Sequence, residues 1–275
     1  MATFLFWNLN KRPLLHQVAT LCHEHAVDVL ILAESGLSAA ALLETLNKTQ
    51  SSKFSFPSSG APSRLSFFIR YPQQSFESVS DSPHVAIRRF IPPIGVEILI
   101  AAVHLPSKLH TTNEDQAQNS FLVSQAIEEA ETRVGHTRTV MVGDFNMNPF
   151  ESGVVGAAGL HAVSDRQIAL RGDRTVLGKQ YRFFYNPMWG RMGDASQGPP
   201  GTYYFNTSTY VNFFWNIFDQ VLVRPELLKF FPDERLAVLS EVNEQSLLSP
   251  TGIPDTALGS DHLPLLFAIE IEKGI

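Results

Sequence analysis

The sequence predicts a layered α/β protein, with sheet packed on sheet, running as a single domain over residues 1–275. Three observations carry that expectation. Short continuous apolar runs, the length of buried strands, alternate with helical periodicity through the first half of the chain. Strand-like runs then dominate the second half. No internal repeat and no long linker divides the 275 residues, of which 44% are hydrophobic, enough to bury one large core.

The elements follow in order. Ala2 to Asn8, with Phe4, Leu5, Phe6 and Trp7, reads as a buried strand. Pro13 suits the first turn of a helix carrying Leu14, Val18, Leu21 and His25 at helical spacing. Val27 to Ala33 is a second buried strand, and Ser38 is a candidate N-cap for a helix through Ala41, Leu42 and Leu46. Ser51 to Ser63, rich in Ser and Pro, reads as a loop. Leu65 to Arg70, Val85 to Phe90 and Val96 to His104 read as strands. Thr112 and Asp115 form a capping-box pattern ahead of a long helix ending near Gly135, with Val123, Ala126, Ile127, Ala130 and Val134 on one face. Thr137 to Val142 is a buried strand, after which Gly143 is expected to start a loop. The stretch from Pro149 to Asn216 has weak periodicity and many aromatics; Phe218 to Val223 and Leu263 to Ile271 return to strand character.

Charge and composition narrow the function. The net charge of −6 makes wholesale neutralisation of a phosphate backbone unlikely as the binding mode, so nucleic-acid contact must rest on a local patch. The one cysteine, Cys22, rules out an intrachain disulfide and reads as a small buried apolar residue. The first residues lack the basic region of a secretory leader, and no run reaches the roughly 18 apolar residues of a membrane span. A soluble, reducing, cytoplasmic setting is the expectation.

Polar residues stand at the ends of the apolar runs. Asn8 and Asn10 close the first, Glu34 the second, His104 the Val96 run, and Asp144 and Asn146 the Thr137 run; Asp219 lies in the Phe218 run, and Asp261 and His262 precede the last strand. Each alone has an ordinary explanation: Glu34 as a cap or surface residue, His104 as a hydrogen-bonded core histidine. Together, if the strands lie side by side, they converge on one edge. A carboxylate beside a buried strand must be paired or bind a cation. Oxygen ligands such as Glu34, Asp144 and Asp261 suit Mg²⁺ or Mn²⁺. Such a cation polarises a phosphoryl oxygen, and a histidine fixed by a carboxylate stabilises the charge that develops. No zinc pattern is present, because His23 and His25 are too close in sequence to share a helical face.

Trp7-Asn8-Leu9-Asn10, Ala33-Glu34, Gly143-Asp144-Phe145-Asn146 and Gly259-Ser260-Asp261-His262-Leu263-Pro264, in that chain order, resemble the endonuclease/exonuclease/phosphatase superfamily. That family includes DNase I-like nucleases, abasic-site endonucleases, neutral sphingomyelinases, deadenylases and inositol polyphosphate 5-phosphatases. The resemblance implies a four-layer α/β sandwich of two mainly antiparallel sheets flanked by helices. It implies that Glu34 is the principal metal ligand and Asp261 a further one. Asn8 would support the metal site and Asp144, and Asp144 would activate the attacking water. Asn146 would hold the phosphate, Asp219 would pair with His262, His262 would contact the scissile phosphate, and His104 would stand near the leaving group, as general acid or only as a phosphate contact. Asn10 stands where abasic-site enzymes carry Asp; as a metal-site residue it supplies no charge, which favours one metal over two. His104 stands where those enzymes carry Tyr.

Loops must choose the substrate. Arg171, Arg174, Arg182, Phe183, Phe184, Tyr185, Trp189 and Arg191 interleave basic and aromatic residues, as a surface for stacked bases and phosphates would. From this segment Arg182, Tyr185, Trp189 and Arg191 are candidate substrate-binding residues. The rival reading is a hydrophobic loop packed on the sheet with ordinary surface arginines. Lys11, Arg12 and Lys108 fall at the expected rim. A nuclease on DNA or RNA is the first expectation. A phosphatase or phospholipase C-like enzyme on a small or lipid phosphoester is the second, weakened because no apolar hairpin for docking a membrane stands out. A catalytically silent binding module is the third.

Overall fold

The computed structural model describes residues 1–48, 53–57, 64–109 and 111–272. Its two large sheets grow from the apolar runs. Strand β1 (Ala2–Asn8) is followed by helix α1 (Leu15–Glu24), β2 (Val29–Ala33), α2 (Ala39–Leu46), β3 (Leu65–Ile69), β4 (Phe76–Asp81), β5 (Val85–Phe90), β6 (Ile98–His104), α3 (Asn113–Val134), β7 (Thr139–Asp144) and β8 (Ala162–Val163). The first sheet has five strands in the order Ala237–Val238, Leu265–Ile269, β1, β2, β3. The second has seven, in the order β4, β5, β6, β7, Asp219–Val223, Phe184–Tyr185, β8. The parallel pairs are β1 with β2, β6 with β7, and Phe184–Tyr185 with β8; the other pairs are antiparallel.

Period-two alternation explains the layering. In β6, Ile98, Ile100 and Ala102 join the core between the sheets, while Leu99, Ala101 and Val103 join a second core under α3. In β7, Val140 and Val142 face the first core and Met141 the second. A sheet buried on both faces has no polar alternation, which is why these strands read as continuous apolar runs. Helices α1 and α2 bury Val18, Leu21, Cys22, Leu42 and Leu46 against the first sheet, completing the helix–sheet–sheet–helix sandwich.

The caps behave as the sequence expects in two cases. Ser38 Oγ accepts from Ala41 N. Thr112 and Asp115 form a reciprocal capping box, and α3 stops at Gly135, whose φ of 79° is left-handed. Other boundaries differ. Pro13 lies outside α1, which starts at Leu15. Gly143 does not open a loop: β7 runs through it to Asp144, because β6 approaches there too closely for any side chain. The sequence reading has no counterpart for β4, whose FESVSD stretch buries only its first residue. Of the Ser51–Ser63 loop, residues 53–57 are described, with Ser55 bridging to Ile69; the remainder lies outside the described residues. No helix of the described residues is long and apolar enough to cross a membrane.

One polar link locks α3 to the second sheet. Glu131 and Arg224, both almost fully buried, pair at 2.8 Å, and Glu131 also accepts from Thr139 Oγ1 at 2.8 Å. The Arg224 guanidinium lies over the Phe184 ring at 3.9 Å. Removing one partner strands a buried charge, so Glu131→Ala should lower stability by about 3–5 kcal/mol in a denaturant titration. A loss below about 1 kcal/mol would show that solvent reaches Arg224.

Candidate active site

Register brings the polar strand ends together. Across β6, β7 and Asp219–Val223, His104 stands opposite Asp144, and Asp144 opposite Asp219. Asn8 ends β1 beside Ala33, the last residue of β2, and Glu34 follows. The ends of the parallel strands therefore meet the start of the antiparallel Asp219 strand and the segment leading into Leu265–Ile269, which carries Asp261 and His262.

Hydrogen bonds join the two sheets at this point. Asn8 Nδ2 donates to Asp144 Oδ2 at 2.9 Å, and Trp7 Nε1 donates to His262 O at 2.8 Å. Asp144 Oδ1 accepts from Asn146 N at 2.8 Å, and Oδ2 accepts from Asn146 Nδ2 at 3.1 Å. Asn146 Nδ2 also donates to Leu105 O at 2.9 Å, so the amide that the resemblance aims at phosphate is spent on holding Asp144. Gln116 of α3 donates to Asn146 O at 3.0 Å and fixes this turn from below.

His262 Nδ1 lies 2.9 Å from Asp219 Oδ2, and its Nε2 lies 3.9 Å from Asp144 Oδ2. Burial opposes charge on the His262 ring, but Asp219, Asp144 and Asp261 outweigh it and push its pKa up to about 10. Burial, with Asp219 adding to it against the pull of His262 and His104, raises Asp144 to about 6. His104 Nε2 is 3.3 Å from Glu34 Oε1 and 3.8 Å from Asp144 Oδ2. The hydrogen bond from His104 holds the Glu34 carboxyl below its usual range, against the opposing effect of burial.

Several of these residues adopt the left-handed backbone region: Asn10 at φ 43°, Lys11 at 58°, Glu34 at 46° and Asn146 at 50°. Such conformations are unfavourable for residues with a Cβ and persist only where surrounding bonds enforce them. Here Lys11 N donates to Glu34 O at 2.8 Å and Leu9 N to Ala33 O at 3.0 Å, tying the turn after β1 to the turn after β2.

Two sets of groups have the chemistry to hold a metal. Ligand atoms of Asp144, Asp219 and His262 all lie within 4.8 Å of one another. Those atoms already have partners: Asp219 faces Nδ1 of the His262 ring, and Asp144 accepts from Asn8 and Asn146. Glu34 and Asp261 are half-buried and open to solvent, and Asn10 Nδ2 donates to Asp261 Oδ2 at 3.0 Å. Their oxygens are of the donor type that suits a hard divalent cation.

Beside Asn146 runs an open cleft of about 640 Å³, lined among others by Lys108, Phe150, Tyr203, Phe205, Phe213 and Phe218. Lys108 pairs with Glu151 and lies 5.9 Å from the Phe218 ring centre. Tyr203 packs its ring 4.7 Å from His262, and Thr202 Oγ1 accepts from the backbone of Phe218 and Asp219 at 3.1 Å. Of these, sequence reasoning placed only Lys108 near the site, at its rim. The available signal was the pair of aromatic clusters Tyr203-Tyr204-Phe205 and Phe213-Phe214-Trp215, which form a hairpin. Its tip exposes Tyr210, Val211, Phe213 and Phe214, so an apolar hairpin does flank the site, contrary to the sequence reading.

The four substrate candidates lie apart from the Asp144 cluster. Tyr185 pairs with Val223, at the opposite end of its neighbour strand from Asp219, roughly 13 Å away along the strand. Its hydroxyl donates to Asp233, and Arg191 donates to Asp233 O. Arg182 lies 3.7 Å from Glu131, at the foot of α3. Trp189 is nearer, meeting Phe150 edge-on with ring centres 6.3 Å apart. At the rim, Arg12 donates to Thr256 O.

The family model described as "Endonuclease/Exonuclease/phosphatase family" matches residues 5–262. No curated protein matches the chain. Among solved structures, an endonuclease/exonuclease/phosphatase family protein from Leptotrichia buccalis is 15% identical, with 98% of this chain and 100% of that one covered and a TM-score of 0.58. The 3′ phosphatase NExo (D146N) from Neisseria, bound to product DNA hairpin, is 15% identical over 98% and 99%, with a TM-score of 0.56. TDP2 of D. rerio, complexed with single-strand DNA product, is 14% identical over 97% of each chain, with a TM-score of 0.53. At these identities the likeness is one of fold.

Proposed function

The chain belongs to the endonuclease/exonuclease/phosphatase family, and on that premise we propose that it is a divalent-metal-dependent phosphodiesterase that hydrolyses nucleic acid, acting as one domain over residues 1–275. The observation that carries the proposal is the meeting of Asp144, the His262–Asp219 pair and the His104–Glu34 pair at adjacent strand ends, next to a cleft that Asn146 and Tyr203 line.

Asp144 orients and deprotonates the attacking water; its raised pKa places it close to neutrality, where a general base works best. Asn8 and Asn146 fix both of its oxygens. His262, kept charged and oriented by Asp219, donates from Nε2 to a non-bridging phosphate oxygen and stabilises the pentacoordinate state. His104 contacts the phosphate and clamps Glu34. A leaving-group acid lies opposite the attacking water in an in-line displacement, and His104 is only 3.8 Å from Asp144, on the water's side. Glu34 and Asp261, with Asn10 beside them, would hold Mg²⁺ or Mn²⁺. A cation bound there would polarise the phosphoryl oxygen and favour the ionised form of nearby carboxylates.

The test is incubation with Mg²⁺ or Mn²⁺ and separate pools of single-stranded DNA, duplex DNA, RNA, inositol phosphates and sphingomyelin vesicles. Nucleic acid should be cut, with cutting abolished by EDTA and restored by Mg²⁺. Cleavage of a small phosphoester alone would overturn the nuclease assignment. The exposed aromatic hairpin favours a lipid phosphoester as the second reading, since its rings suit a membrane interface.

The two shifted groups set a pH profile. Asp144 must be ionised, so kcat/KM should rise with pH and level off at or below about 6, the metal-free value, because a bound cation favours the carboxylate. His262 must be protonated, so kcat/KM should fall as pH climbs through about 10. A rate still rising above pH 10 would remove His262 from the proposed role.

A further inference from the structure

A second cleft lies beyond Phe150. It has a volume of about 460 Å³, and its walls include His161, Arg171, Arg174, Phe183 and Trp189. The Trp189 ring meets Phe150 edge-on, and Phe150 also lines the cleft beside Asn146, so the two clefts adjoin through this pair.

His161 is the unusual wall. It is 2% exposed and stands in the left-handed region at φ 49°. Its ring stacks on Phe183 with centres 4.3 Å apart, and Nδ1 lies 3.3 Å from Arg182 O, the bond that makes Nδ1 the donor. Burial, then the charge of Arg174, holds its pKa below the ordinary value, so the ring is neutral and Nε2 offers a lone pair. Nε2 is buried and makes no hydrogen bond of good geometry among the described residues, although the Tyr181 backbone also lies close to the ring. An unsatisfied buried acceptor is unfavourable by about 1–3 kcal/mol, and His161 belongs to the wall of the cleft, so a donor entering the cleft reaches Nε2 once the ring turns slightly outward.

The rest of the wall narrows the ligand. Arg171 and Arg174 are exposed and have no ion-pair partner among the described residues. Trp189 remains 36% exposed, which leaves an indole surface for stacking. Asp165 and Asp173 also border the cleft, so the wall is charge-balanced and does not attract anions indiscriminately. Asp165 is occupied in part, accepting from Ile168 N at 2.8 Å. One ligand class meets a ring, a hydrogen-bond acceptor and two guanidiniums together: a nucleotide whose base bears an amino group.

We propose that the Trp189–His161–Arg174 cleft is a second nucleotide subsite, which takes an unpaired, amino-bearing base of a single-stranded nucleic acid on Trp189 and its phosphate on Arg171 and Arg174. The amino group donates to His161 Nε2. The subsite lies past the Phe150–Trp189 contact, so it engages only strands long enough to extend beyond the catalytic cleft. Duplex without an unpaired segment has no base to offer it. The inference rests on the nucleic-acid reading above and specifies the strand form it acts on.

The experiment uses the full chain, wild type, Trp189→Ala and the double variant Arg171→Ala/Arg174→Ala, all three positions being exposed. Binding of dye-labelled oligodeoxycytidine, a tetramer and a dodecamer, and of the RNA dodecamer is followed by fluorescence anisotropy in EDTA. Wild type should bind a dodecamer more tightly than the tetramer, with the DNA and RNA dodecamers showing which sugar is preferred. Each variant should weaken dodecamer binding about tenfold, the value of one stacked base or more, and leave the tetramer unchanged. Equal dodecamer binding by wild type and variants, equal losses at both lengths, or no advantage of the dodecamer in wild type would overturn the subsite. Cleavage is measured separately in Mg²⁺. A wild-type protein that binds through Trp189 but cuts no nucleic acid keeps the subsite and sinks the catalytic reading; one that cuts without Trp189-dependent binding sinks the subsite alone.

Discussion

Asp144→Asn should lower kcat by roughly 10³- to 10⁴-fold, the span expected when the base that activates the nucleophile is lost from a site that keeps its other groups. The substitution keeps the shape of the side chain and removes only the charge and the proton acceptor. Both carboxylate oxygens now accept bonds, Oδ1 from Asn146 N and Oδ2 from Asn8 Nδ2 and Asn146 Nδ2. Either orientation of the new amide sets one NH₂ group against a donor. Against that loss, the buried carboxylate no longer has to be kept charged out of water, the effect that raises its pKa. The two terms oppose each other, so Tm should move little while turnover collapses. Stopped-time cleavage assays and anisotropy on the same oligonucleotide separate the effects: kcat falls and binding stays. Retention of more than about a tenth of wild-type kcat would remove Asp144 from the role of base.

Gly143→Ala should lower Tm by roughly 10 °C, corresponding to a few kcal/mol for a chain of this length. A Cβ on Gly143 would sit 1.9 Å from Val103 O and 2.7 Å from Val103 C. Both are backbone atoms, paired in register across β6 and β7 at the centre of the seven-stranded sheet. No rotamer change relieves such a contact; the two strands must part. Since Asp144 is the next residue, whatever movement accommodates the methyl displaces its carboxylate, the proposed base, as well. Thermal melting followed by circular dichroism checks the first effect and kcat the second. A Tm within about 2 °C of wild type would mean that the parallel pair yields locally at small expense.

The parts of the site that were legible share one property. Asn8, Glu34, His104, Asp144 and His262 stand at the ends of runs buried on both faces, where a polar residue has no ordinary reason to be. The register that brings them together follows from β1–β2 and β6–β7 being parallel, so that their ends fall on one side. The Arg182–Arg191 segment was harder because it changes from strand to a 3-10 helix at Pro187, and within its strands residues alternate faces. Arginine and aromatic side chains that interleave in sequence point opposite ways in space, and Tyr185 is drawn inward to Asp233. The aromatic cleft went unread for a related reason. Tyr203 and Phe213 are distant in sequence and meet only through the pairing of Tyr203–Phe205 with Phe214–Asn216. Strand β4 escaped notice because an edge strand with one buried end lacks the apolar signal of its neighbours.

The placement of β1 between β2 and Leu265–Ile269 also governs when activity can arise. Trp7 and His262 are 255 residues apart in the chain, yet one hydrogen bond joins them, and Asn8 reaches across 136 residues to Asp144. As the polypeptide leaves the ribosome, α3 and the β5–β6 hairpin can organise from neighbouring segments, while the opening strand waits for its final partner. Contacts this far apart in sequence form late and slowly. On the proposed function, a nascent chain therefore cannot assemble the Asp144–His262 site until its last strand emerges, however much of the sandwich has already collapsed.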